Sequence, residues 1–219
     1  MGEKNQLQST PSNNDIASVI WCALSFKEEK GGYDRGCGFQ WIRSDVDRLF
    51  KELEKCGISY LLVGGMAMLT YVDGRNVENI DLIVDRSDLT RLAGMVIVSE
   101  NGDYIRADYG CLELNLWLTR NAVFEEVRQN YRTERWCGNR CLPCASPSGL
   151  VIRPFYALPS LYREGSFALA ALYETDILQL VYYYNICLES EIDIVEVHMN
   201  NADVSGIRSV AGAIEQRRI

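Results

Sequence analysis

Hydrophobic residues recur at helical spacing through Val46, Leu49, Phe50, Leu53 and Cys56, which predicts a helix capped by Ser44 and stopped at Gly57. Ile58 to Val63 is a short apolar run meeting Gly64-Gly65, the pattern of a buried strand that ends in a tight turn. A short helix is expected over Met66 to Tyr71, a second strand over Asn79 to Val84, and another short helix from a Ser87 cap through Ala93. Met95 to Ser99, Tyr104 to Asp108 and Leu112 to Thr119 read as successive strands. Helical spacing returns from Asn121 to Tyr131 through Val123, Phe124 and Val127. A Cys- and Arg-rich hairpin or loop follows. From Pro147 the chain is helical almost to its end, with Tyr173, Ile177, Leu180, Val181 and Tyr184 on one face of the clearest helix.

Strands in the middle and helices at the end predict an α/β (α+β) fold, a mixed sheet flanked by helices with a C-terminal helical domain. The expected divisions are a tail and irregular extension over 1–42, the sheet domain over 43–146 and the helical domain over 147–219. Residues 1–14 are polar and aperiodic, and Gly31, Gly32, Gly36 and Gly38 interrupt the stretch before residue 42.

Charge and length narrow the class. The 219 residues carry 22 Lys+Arg against 30 Asp+Glu, a net charge of −8, which argues against an extensive nucleic-acid-binding face. The apolar stretch Ile16 to Phe26 contains Ser18 and Ser25 and is too short to span a bilayer, so no membrane association is expected. Without a secretory signal, the eight cysteines read as reduced thiols of a cytoplasmic protein.

The chemistry concentrates between Leu61 and Asp85. Gly64-Gly65 lets the backbone approach a phosphate. Asn79 and Asp81 are two residues apart on one strand, and Glu113 and Asn115 are two apart on another, so each pair shares a sheet face. Such a cluster of oxygen ligands beside a phosphate turn suits Mg²⁺, which binds through one or two carboxylates plus substrate phosphates. The reaction class implied is phosphoryl or nucleotidyl transfer.

From about Ser44 to Tyr184 the chain resembles the polymerase-β-like nucleotidyltransferase superfamily, especially its abortive-infection (AbiEii-like) toxin group, part of toxin–antitoxin systems. The resemblance rests on Gly64-Gly65, Arg75 and Asp81, and on the order of later elements: Leu112 to Thr119, Asn121 to Tyr131, Ser146-Pro147-Ser148-Gly149-Leu150 and Tyr173-Glu174-Thr175-Asp176-Ile177. It implies a nucleotidyltransferase-like sheet with transfer of a nucleoside monophosphate from an NTP to an acceptor. Asp81 and Asn79 would hold Mg²⁺, aided by Asn115 or Glu113, while Gly64 and Gly65 would cradle the triphosphate. Arg75 would neutralise charge or orient Asp81.

The chain departs from that pattern at charged positions. Asn79 replaces the first metal aspartate, Val77 replaces a threonine, and the third carboxylate falls on Asn115. The lysine after the Ser-Pro pair falls on Pro154, beside Arg153. An amide oxygen brings no charge and cannot act as a base, so catalysis is expected to be weakened or lost. Glu113 is the better substitute carboxylate, since Glu78 is expected to face away from Asn79. The alternative is a non-catalytic nucleotide-sensing or partner-binding module with the same fold. A further alternative is a metal site at Cys137, Cys141 and Cys144, set against free thiols in a hairpin. Tyr182-Tyr183-Tyr184 reads as core packing plus exposure, and Glu189 to Glu196 as a solvated helix face.

Overall fold

The computed structural model describes residues 15–20, 23 and 38–217. The tail expected over 1–14 therefore lies outside the described residues, as do Cys22 and Cys37. Residues 16–20 are helical, with Ile16, Ala17 and Ile20 buried.

Helix α1 spans Phe39–Lys55, and its cap, Gly38, lies six residues before the Ser44 cap that the sequence predicts. The reason is Ile42. It is fully buried and extends the apolar face of Val46, Leu49, Phe50 and Leu53 by one turn. Strand β1 (Tyr60–Val63) runs into the short helix α2 (Gly64–Met68), and β2 (Ile80–Val84) follows. Ser87 makes no side-chain cap, and the next turn is a 3₁₀ helix over Asp88–Arg91. Then come β3 (Met95–Glu100), β4 (Tyr104–Tyr109), β5 (Leu112–Leu118) and α3 (Ala122–Asn130), whose first turn is capped by Asn121 accepting from the Val123 amide at 3.0 Å. The Cys- and Arg-rich segment is a hairpin of β6 (Arg132–Cys137) and β7 (Arg140–Ala145). Helices α4 (Pro147–Arg163), α5 (Phe167–Tyr184), α6 (Leu188–Glu196) and α7 (Asn201–Gln216) complete the chain.

The seven strands form one mixed sheet in the order β3-β4-β5-β2-β1-β7-β6. β2 is parallel to β5 and β1 to β7, and the remaining neighbours are antiparallel. Alternation along β5 buries Leu112, Leu114, Leu116 and Leu118 while turning Glu113, Asn115 and Trp117 to the other face. The first face receives α1, where Arg48 lies over the Tyr109 ring at 4.7 Å. The second receives α3, where Phe124 meets Trp117 edge-on at 5.4 Å. Aliphatic residues from every strand except β3 and β6 and from all seven helices join one cluster, to which β6 adds Cys137, each buried Leu or Val contributing about 1.5–3 kcal/mol.

Three expectations need correction. Cys111 is disulfide-bonded, although Cys56, Cys137, Cys141, Cys144 and Cys187 are free thiols. An expectation drawn from the whole chain speaks for the average cysteine and not for an individual one. The tyrosine run contributes no core: Tyr182 and Tyr183 are exposed, and Tyr184 donates its hydroxyl to the Tyr71 carbonyl at 2.9 Å. The acidic helix α6 is not wholly solvated, since Glu191 is buried and Arg208 reaches across from α7 to Glu189, Asp193 and Glu196.

Candidate functional site

The register of two parallel strands creates the site. Asp81 on β2 stands opposite Asn115 on β5, one step from the end of β1, where Val63 pairs with Asp81. The chain must leave β1 sharply there. Gly64 has φ +64°, and a Cβ on it would fall on the Asp81 carboxylate, so only glycine permits this approach. A Cβ on Gly65 would come within 2.7 Å of Val77.

These elements surround a cavity of about 650 Å³. Gly65, Arg75, Asn79, Asp81 and Asn115 line it, together with Glu78, Tyr104, Trp117, Arg153 and Tyr173. Gly64 lies behind the Asp81 carboxylate rather than in the lining. Glu113 shares the strand face of Asn115 but sits further along, opposite Asp108, outside the lining. Glu78 lines the cavity beside Asn79, contrary to strict alternation, because β2 begins only at Ile80.

Hydrogen bonding inside the cavity is dense. Asp81 Oδ1 accepts from Asn115 Nδ2 at 3.2 Å and from Trp117 Nε1 at 3.4 Å. Asn115 Oδ1 accepts in turn from the Tyr104 hydroxyl at 2.5 Å. Burial pushes the Tyr104 phenol up to about 12, with the Asp81 charge adding to the effect. Arg75 does not orient Asp81. Its ion pair is with Asp176 on α5, Nε to Oδ1 at 3.1 Å. Burial raises the Asp176 carboxyl above the ordinary carboxylate range, against the pull of Arg75.

Arg153 is the side chain that the sequence pattern did not single out. It projects from α4, a helix begun by Ser146 accepting from the Gly149 amide and by Pro147 in the first turn. Its guanidinium lies over Trp117 at 4.5 Å and near the Tyr173 ring at 5.1 Å, and Nη1 donates to the Tyr173 hydroxyl at 3.1 Å. Burial works to lower its pKa, but Tyr173, Asp81 and Asp176 outweigh burial, and the group is held above the ordinary arginine range. The clue in the sequence was its place next to Pro154, where the resembled family has a lysine. Trp117 could also have been placed, as it continues the Glu113, Asn115 alternation on β5.

A divalent metal fits this donor set poorly. Asp81 brings a single carboxylate whose Oδ1 already accepts two N–H groups, and Asn115 turns its N–H, not its oxygen, towards Asp81. Among the described residues no three His, Cys, Asp or Glu side chains gather as a metal-holding group. The cysteine hairpin offers none either. Cys141 is exposed while Cys137 and Cys144 are buried, and burial pushes their thiols up to about 11 and about 12. Among the described residues no helix is long and apolar enough to cross a membrane.

No protein-family model matches the chain, and no curated protein matches it in sequence. Solved structures do share its fold. The crystal structure of ANT(2″)-Ia in complex with adenylyl-2″-tobramycin is similar over 75% of this chain and 95% of its own, with TM-score 0.51 and 15% identity. The solution structure of the antibiotic-resistance factor ANT(2″)-Ia is similar over 80% of this chain and 95% of its own, with TM-score 0.52 and 15% identity. The chain therefore has a nucleotidyltransferase fold.

Proposed function

We propose that the chain binds a nucleoside triphosphate in the cleft lined by Gly65, Asp81 and Arg153, and that its capacity for nucleotidyl transfer is weakened or lost. The fold supports the first half. The observation that carries the second is the state of Asp81, one carboxylate with its Oδ1 held by Asn115 and Trp117 where a transfer site needs clustered negative charge. The resemblance to the abortive-infection toxin group belongs to this reading as well, on Arg75, Asp81 and the Ser146-Pro147 start of α4.

Labelled ATP, GTP, CTP and UTP, each supplied with Mg²⁺, test the reading. The expected result is saturable binding of at least one nucleotide with no release of pyrophosphate. Sustained pyrophosphate release with any acceptor would show that transfer survives, with Glu78 beside Asn79 as the first residue to mutate. Absence of binding for all four would remove the nucleotide from the proposal.

A further inference from the structure

We infer that the working cation of this cleft is the Arg153 guanidinium, and that the chain binds its nucleotide without a divalent metal. The inference rests on the nucleotide-binding reading above and goes beyond it in assigning how the phosphates are held.

Three observations converge on it. First, Asp81 Oδ1 and Asn115 Oδ1, the oxygens that the parallel register sets side by side, are engaged in a chain of bonds: Tyr104 hydroxyl to Asn115 Oδ1, then Asn115 Nδ2 to Asp81 Oδ1. A metal shared by these two oxygens would have to turn Asn115 over, breaking both bonds, and would compete with the Trp117 donor for Asp81 Oδ1. Second, a positive charge is already present. Arg153 is buried, pinned between Trp117 and Tyr173, and lines the same cavity as Asp81. A second cation placed beside it would be repelled in a poorly solvated site. Third, the guanidinium has donors to spare beyond its bond to Tyr173, and its planar fork matches phosphate oxygens. Arg75, fixed by Asp176, supplies a second guanidinium in the cavity lining.

This arrangement reverses the role of Asp81. In a metal-dependent site its charge attracts the cation that carries the phosphates, so removing it weakens binding. Here its charge partly cancels Arg153, so removing it strengthens the attraction for an anion.

Calorimetric titration of ATP, GTP, CTP and UTP into the full chain decides the matter, each in EDTA and in Mg²⁺. For whichever nucleotide binds, affinity is expected to be as tight or tighter in EDTA, because Mg²⁺ cancels phosphate charge that the guanidiniums would meet. Asp81→Asn keeps an acceptor for Asn115 and Trp117 and should tighten binding about fivefold or more, since a charge beside a buried guanidinium counts for at least as much as one in an exposed pair. Arg153→Met should weaken it about thirtyfold or more. Weaker binding in EDTA overturns the inference, and so does unchanged or weaker binding by a folded Asp81→Asn protein. If Arg153→Met does not fold, the wild-type comparison in EDTA and Mg²⁺ together with Asp81→Asn remains decisive. No binding of any of the four nucleotides by the wild type under either condition sinks the nucleotide reading itself, and this inference with it. Binding that demands Mg²⁺ sinks the inference alone.

Discussion

Asn115 donates from Nδ2 to Oδ1 of Asp81 at 3.2 Å, across parallel strands whose register sets the two residues side by side. An aspartate at 115 would replace that bond with two facing carboxylates. Asn115→Asp is therefore expected to lower the melting temperature in EDTA, and added Mg²⁺ should recover part of the loss. Combining it with Asn79→Asp should give a protein that binds Mg²⁺ more tightly by calorimetry than the wild type. A double variant whose melting point ignores Mg²⁺ would show that these positions do not face a common cation site.

Gly64 tests the close approach between the turn and Asp81. Alanine there must adopt a positive φ, at a cost of about 1–3 kcal/mol, and its methyl group would displace the Asp81 carboxylate. Chemical denaturation should record that loss. Gly57→Ala is the control, since Gly57 also has positive φ but its Cβ would meet nothing within 4 Å. Equal loss of nucleotide affinity in both variants would contradict a specific role for the Gly64 contact.

The Arg75–Asp176 pair predicts a pH dependence with a definite sign. Asp176 has a raised carboxyl pKa in the folded protein because it is buried. The folded chain thus holds that proton more tightly than the unfolded chain does. The resulting stability is complete below the unfolded value of about 3.9 and is lost as pH rises through the folded value. Arg75→Met removes the counter-charge, raises the folded value further and carries the loss to higher pH. The variant should be about 3–5 kcal/mol less stable at neutral pH, with a smaller deficit near pH 4. Adding Asp176→Asn should flatten the difference. A deficit constant from pH 4 to 7 would mean that Asp176 ionisation does not cause it.

Cys111 and Cys144 should separate in reactivity. Alkylation of the denatured, unreduced protein should modify Cys144 and leave Cys111 untouched until a reductant is added, as peptide mass analysis would show. Alkylation of Cys111 without reduction would exclude its disulfide.

Much of the fold was legible because it depends on local periodicity. The β5 alternation, the helical spacing of Val123, Phe124 and Val127 and the helical face of Tyr173, Ile177, Leu180 and Val181 are all written within a few residues of sequence. The cavity placement of Asp81 and Asn115 follows from the same alternation plus strand order, whereas Asn79 reaches the cavity from the segment before β2. What escaped was long-range. The partner of Arg75 lies 101 residues away, on a helix whose docking no local pattern specifies. Arg153 looked like an irregularity beside Pro154, and its meaning depends on α4 laying it against Trp117. The register of the β4–β5 hairpin could have been counted out from its tight turn at Gly110, which would have placed Tyr104 opposite Trp117.

The sheet receives its last strand at Ala145, yet the cleft still lacks a wall at that point in the chain. During synthesis Arg75 and Asp81 leave the ribosome early, Arg153 follows, and Tyr173 and Asp176 come last. Until α5 docks, two guanidiniums stand without the tyrosine hydroxyl and the carboxylate that hold them. A nascent chain halted before residue 173 would thus carry every strand and no finished pocket, and the ability to retain a nucleotide would report that the final helices had arrived.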